Sequence, residues 1–292
     1  MIRIAVASGK GGTGKTFVAT NIFNTLVKRN IKCLLIDCDA EAPNSVAFFN
    51  AELSGRHEVT QQVPVIDTDK CTYCGRCREY CVYNAIFILP SVRMIKVIED
   101  LCHGCGACTV ACRDGAITEK ASSLGSVFPF TRNGDLQIIE ARMDAGVMSP
   151  VKVIKSAIGQ ISNHYDIVIL DAPPGTSCPF IQTVAAADYT ILVTEPTPFG
   201  LSDLRQSAGT LRIMNKQFGA IINRAGTGNR EVYQYLENEK IPLLLEIPFK
   251  KEIAEAYSVG RLVSDSDPFF AEQLAGLAEN IIEKYGNSNH QR

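Results

Sequence analysis

The chain has 292 residues, of which 46% are hydrophobic and 21% charged, a composition that suits a globular protein with one large domain and a small one and excludes a disordered or fibrous chain. Its 29 Lys and Arg against 31 Asp and Glu give a formal net charge of -2, so there is no excess of cations to displace phosphate counterions and no nucleic-acid partner is expected. No apolar run reaches the ~18 residues of a membrane span. No basic leader precedes Ile2, and cytoplasm is the expected compartment.

The first apolar run, Ile2 to Ala7, reads as a strand, and a helical pattern follows from Phe17 to Arg29. Between them lies GKGGTGKT, Gly9 to Thr16. A glycine-rich loop that ends a strand and opens a helix is the setting in which backbone amides face phosphates. Gly9, Gly11, Gly12 and Gly14 leave those amides free. Lys15 supplies a point charge to the outer phosphates of ATP, the Thr16 hydroxyl can coordinate Mg2+, and Thr13 and Phe17 complete the expected contact set. A second strand is expected from Cys33 to Asp37, followed by Asp37-Cys-Asp39-Ala-Glu-Ala-Pro43-Asn44.

Eight of the eleven cysteines then fall in two runs, Cys71, Cys74, Cys77, Cys81 and Cys102, Cys105, Cys108, Cys112. The second repeats the first at an offset of 31 residues, with Asp69 and Asp100, Gly75 and Gly106, and Ala85-Ile86 and Ala116-Ile117 also in register. Three thiolates at this spacing wrap an iron-sulfur cubane, and the glycines allow the close approach. A closed zinc site takes four ligands and is normally built from paired two-cysteine knuckles, so the third cysteine of each run argues against zinc. A disulfide framework belongs to oxidising compartments. The runs resemble those of bacterial two-cluster ferredoxins. That resemblance implies two [4Fe-4S] clusters with crossed fourth ligands: Cys71, Cys74, Cys77 and Cys112 on one, Cys102, Cys105, Cys108 and Cys81 on the other. Val82 and Arg113 stand where such ferredoxins carry proline.

Residues 121 to 150 read as a connecting loop and a short strand. Further strands are expected at Asp166 to Asp171, Tyr189 to Thr194, Phe218 to Asn223 and Pro242 to Ile247, with a helix from Leu201 to Lys216. The fold class is therefore α/β, a mostly parallel sheet with helices on both faces, carrying an inserted small α+β two-cluster domain. Its expected limits are 1–60 and 121–292 for the nucleotide domain and 61–120 for the insert. The terminal stripe Leu274, Leu277, Ala278, Ile281, Ile282 and Tyr285 carries Glu272, Glu279 and Glu283 on its other face, which suits packing on the sheet better than an anionic bilayer. Cys33, Cys38 and Cys178 are expected as small buried thiols.

With Lys10 as an extra lysine near its start, KGGTGKT resembles the loop of the MinD/ParA/nitrogenase iron protein family. The resemblance implies an ATP-hydrolysing dimer, of two copies or with a paralogue, in which Lys10 crosses to the partner's nucleotide. Asp39 then orients the attacking water in the first switch. The run Ile167 to Gly175 looks like the Walker B strand and second switch, with Asp171 near Mg2+ and Pro174 and Gly175 beside the nucleotide. Asn223, Arg224 and Pro248 resemble its adenine-side segments. Cys178 matches in offset a cluster ligand of the nitrogenase iron protein, although the second cysteine used there has no counterpart between Lys120 and Ile167. With a cluster domain inserted after the first switch, the chain is similar to Mrp/MinD-type ATPases. The implied role couples nucleotide state to the clusters, for electron transfer to a redox partner or for assembly of iron-sulfur or metal cofactors. The alternative is a MinD/ParA-like positioning ATPase, acting on membrane or nucleoid with the cluster domain as redox sensor.

Overall fold

The structure, a computed structural model, describes residues 1–132 and 136–286. Strand β1 (Ile2–Ala7) leads through the glycine loop into α1 (Lys15–Lys28) and β2 (Cys33–Asp37), then β3 (Glu52–Leu53) and β4 (His57–Ile66). The cysteine-bearing segment supplies α2 (Arg76–Glu79), the hairpin β5 (Ile86–Leu89) and β6 (Met94–Val97), and α3 (Ala107–Ala111). Strands β7 (Ile117–Arg132) and β8 (Leu136–Met143) follow. Then come α4 (Val151–Ile158), β9 (Ile167–Asp171), α5 (Cys178–Ala185), β10 (Tyr189–Thr194), α6 (Pro198–Ile213), β11 (Gln217–Ala225), α7 (Glu231–Asn238), β12 (Leu243–Pro248), α8 (Lys251–Ser258), α9 (Val263–Ser266) and α10 (Pro268–Tyr285).

Among the described residues the sheet runs β12-β11-β10-β1-β9-β2-β8-β7-β3, with β4 also on β7. It is parallel from β12 to β8 and antiparallel beyond. The central strands are unbroken apolar runs because helices cover both of their faces. On one face Phe17, Ile22 and Leu26 of α1 meet Leu274, Ala278 and Ile281 of α10. On the other, Ile154, Phe180, Leu204, Leu211 and Val232 of α4 to α7 meet β1, β2 and β9. Burying each such Leu, Ile or Phe contributes about 1.5–3 kcal/mol. The α10 stripe thus faces the core, while Glu272 and Glu279 on its outer side pair with Arg29.

The segment from 121 to 150, expected as a loop and short strand, instead contains most of β7 and all of β8, which lies directly beside β2. Two residues disguise it. Pro129 cannot donate to a ladder, yet its carbonyl accepts from Ser54 N–H at 2.9 Å. Gly125 sits at φ +148 where the β4 register shifts, and a Cβ there would lie 2.3 Å from the Arg142 carbonyl oxygen. Past Gly125 toward its start, β7 leaves β8 and pairs with β4 alone, down to Ile66 against Ile117. This two-stranded ribbon carries residues 67–116, and both 61 and 120 fall inside its strands.

Candidate nucleotide site and cysteine-lined cavities

The loop that joins β1 to α1 turns through Gly12 and Gly14 at φ +78 and +98. A Cβ on Gly14 would lie 2.4 Å from Asn223 Nδ2, whereas Gly11 and Gly12 have open space over them. No side chain caps α1 and no acidic residue occupies its first turn. Its leading N–H groups and the positive end of its dipole are therefore available to an anion. The buried Lys15 ammonium donates to Ser8 Oγ at 3.1 Å and to the Lys10 carbonyl at 3.2 Å. Burial lowers its pKa, against the opposing pull of Asp171 and Asp39.

Asp37 and Asp171 are paired in register on β2 and β9, so two buried carboxyls stand side by side at the strand ends. Asp37 accepts from the backbone N–H groups of Asp39 at 3.0 Å and of Asn44 and Ser45 at 2.9 Å each, which shapes the segment after β2. Burial raises its pKa even so. Asp171 Oδ2 accepts from Ser45 Oγ at 3.2 Å, but Oδ1 is buried without a partner. Burial, and next the neighbouring Asp37, push Asp171 up to about 8, with Thr16, Lys15 and Ser45 opposing. A buried carboxylate oxygen with no donor beside a threonine hydroxyl fits a hydrated Mg2+, which would supply the missing positive charge. Asp39 is half-buried, its pKa raised by burial and by Asp37.

A cleft of about 370 Å³ opens over these groups. Of the residues expected at the nucleotide, Gly11, Gly12, Gly14, Lys15, Thr16, Phe17, Asp39, Pro174, Asn223, Arg224 and Pro248 line it. Others stand behind or beside it. Gly9 packs against Asp203, Thr13 gives its carbonyl to Asn223 Nδ2 at 2.8 Å, Asp171 lies beneath, and Gly175 turns at φ +91 beyond Pro174. Lys10 lies 3.9 Å from the buried Glu195, which also holds Arg224 at 2.8 Å.

The two cysteine runs repeat in backbone as well as in sequence. Tyr73 and Gly104, Gly75 and Gly106, and Asn84 and Gly115 all take left-handed φ. Tyr73 N–H and Gly104 N–H each point at the sulfur two residues earlier, at 3.4 Å from Cys71 and from Cys102. The helices α2 and α3 pack together, so the fourth cysteine of each run arrives beside the other run. One cavity is lined by Cys71, Cys74, Cys77 and Cys112. Another is lined by Cys81, Cys102, Cys105 and Cys108. The first lies at the far end of the ribbon, by Ile66 and Ile117; the second is nearer the sheet, by Gln62 and Glu119. Among the described residues no three His, Cys, Asp or Glu side chains converge on a single ion. Each cavity is lined by four cysteines, three from one run and one from the other.

The profile of the CobQ/CobB/MinD/ParA nucleotide binding domain matches residues 4–263. The chain belongs to that family. It is a P-loop ATPase, as MinD/ParA members of the family are. An uncharacterized protein of Methanocaldococcus jannaschii is 32% identical over 263 residues, covering 89% of this chain and 90% of its own. The iron-sulfur cluster carrier protein of Pyrococcus furiosus is 24% identical, covering 97% and 86%. In fold, the chain is similar to the septum site-determining protein MinD of Pyrococcus horikoshii solved with Mg-ADP, at TM-score 0.57 and 21% identity, covering 96% and 95%. No helix among the described residues is long and apolar enough to cross a membrane.

The family cleft also takes in Asn44, at the end of the motif after β2, Phe249 and Lys250 between β12 and α8, and Ile253, Ala254 and Tyr257 on α8. Phe249 is exposed at the rim, and Tyr257 packs edge-on to Phe17 at 6.1 Å. No loop signature marks α8. Only Pro248 hinted that the chain after β12 reaches the site. Cys33 and Cys38 are buried as expected, but Cys178 is exposed, because it is the first residue of α5 and sits at its open end.

Proposed function

We propose that this chain is an ATP-driven dimeric switch whose nucleotide state governs two resident [4Fe-4S] clusters, and that it passes electrons to a partner. The single observation that carries this reading is that each cysteine cavity draws three sulfurs from one run and the fourth from the other. Removing either cluster would open both loops and the α2–α3 packing between them, which suits resident centres better than cargo. When bound, the clusters supply one-electron transfer between a reduced donor protein and an oxidised acceptor. Exposed Cys74 and Cys105 leave each cavity close to solvent, within reach of such proteins.

The nucleotide half supplies positioning and charge. The α1 amides and Lys15 hold the phosphates, Thr16 and Asp171 hold Mg2+, and Asp39 orients the water. Lys10 contributes across the dimer once it leaves Glu195. The dimer's partner is a redox or cofactor-assembly protein, and the likeness to iron-sulfur cluster carriers keeps cluster delivery as the competing outcome. The test is anaerobic purification, iron and sulfide analysis, and turnover with ATP in the presence of an oxidised acceptor or an apo-protein. Faster acceptor reduction with iron retained supports the reading. Iron moving to the apo-protein supports delivery, and absence of iron ends both.

A further inference from the structure

The two cysteine loops share a backbone but not their surroundings. At the distal loop, Tyr73 carries a full side chain, with Arg93 over its ring at 5.1 Å. Its counterpart in the proximal loop is Gly104, where a Cβ would lie 2.8 Å from the Gln62 carbonyl oxygen and 3.2 Å from Lys152 Nζ. The proximal loop is pressed onto the body of the ATPase, and Lys152 holds it there. From α4, Lys152 Nζ donates to Gln61 Oε1 and to the His103 carbonyl, each at 2.9 Å, while Gln61 Nε2 donates to the Cys102 carbonyl at 2.9 Å. The His103 carbonyl and the Gly104 N–H belong to one peptide plane, and that N–H is the one aimed at Cys102 Sγ. Gripping the carbonyl therefore orients and polarises the donor on the other side of the same peptide.

The grip is also connected to the nucleotide side. Helix α4 packs on α5, which begins seven residues after Asp171, just past the second switch. Cys178 at the start of α5 lines the same cavity as Lys152, His103 and Cys102.

We propose that Lys152 is the positioning residue through which the nucleotide site tunes the proximal cluster, an inference that rests on the cluster reading above. A fixed ammonium and a well-aimed N–H both favour the more negative, reduced state of a centre, so Lys152 raises the potential of the proximal cluster over the distal one. Movement of α5 and α4 with the second switch loosens or tightens the grip, and that potential follows.

The test is an anaerobic redox titration of the holoprotein with dithionite, one electron per cluster, followed by electron paramagnetic resonance. It is run with Mg-ADP and with a non-hydrolysable ATP analogue. In Lys152→Met one of the two couples is expected to shift to lower potential, the other to stay, and the difference between nucleotides to vanish for the shifted couple. Lys155→Met, one turn along α4 on the exposed side, removes the same charge without the grip and is expected to match wild type. Lys152→Gln replaces Lys152→Met if the latter holds fewer than about eight irons, the content of two [4Fe-4S] clusters. Unmoved couples in the Lys152 variant, a nucleotide difference that persists in it, or an equal shift in Lys155→Met would each overturn the inference. Wild type with its full iron but no nucleotide difference overturns this inference alone, whereas wild type without iron overturns the cluster reading.

Discussion

Mg2+ should bind this protein with release of a proton, in a manner set by Asp171. Its carboxyl is pushed up to about 8, by burial first and by Asp37 second, and the metal needs the carboxylate. A group titrating near 8 is protonated about ten times in eleven at pH 7, so metal binding there releases about 0.9 proton. Apparent Mg2+ affinity in the presence of ADP is then expected to rise about fivefold between pH 7 and pH 8, with only about a further twofold above. Asp37→Asn removes the neighbouring charge and should lower the Asp171 pKa, shrinking both effects. Isothermal titration calorimetry in two buffers of different ionisation enthalpy counts the protons directly. The linked stability has the opposite sign. Because the folded pKa lies above the unfolded value near 4, the metal-free fold is favoured at low pH and loses that contribution as pH rises toward about 8. Equal Mg2+ affinity at pH 7 and 8 with no proton released would refute the argument, since it would mean that Asp171 is already ionised in the metal-free protein.

Three further outcomes are expected. Lys15→Ala should abolish ATP hydrolysis while leaving iron content and cluster absorption intact, because the Lys15 hydrogen bonds to Ser8 and Lys10 lie in the nucleotide loop, away from the cysteine runs; loss of both would show that the halves are inseparable. Gly14→Ala places a Cβ 2.4 Å from Asn223 Nδ2 at φ +98, so it should cost about 1–2 kcal/mol in chemical denaturation from the left-handed backbone alone and abolish nucleotide binding as Asn223 is displaced. Cys112→Ala should lower iron by about half, from eight to four, whereas Cys178→Ala should leave it unchanged; iron analysis of the two variants distinguishes a quartet member from a surface thiol.

The parallel core was readable because strands buried on both faces are written as plain apolar runs: Ile2–Ala7, Cys33–Asp37 and Tyr189–Thr194 have the same limits in sequence and structure. The glycine loop was readable because its chemistry is in the backbone, which few residue types permit. Strand β7 was not, since Gly125 and Pro129 carry loop signals that a bulge and a neighbouring carbonyl contact override. The contribution of α8 was hidden for a different reason. Ile253 and Tyr257 reach the cleft through tertiary placement, and nothing in their spacing separates them from any short surface helix. Glu195 was equally invisible: only the folded chain brings the end of β10 to Lys10 and Arg224.

The β4–β7 ribbon has a mechanical meaning for a machine that consumes ATP. The seven residues of β4 past the kink, Thr60 to Ile66, make a boom of about 23 Å, rooted at Gly125 and loaded at its tip. A rotation of about 5° at that root would sweep the tip through roughly 2 Å over such a length. On the function proposed above, a sweep of that size would alter the distance an electron must tunnel.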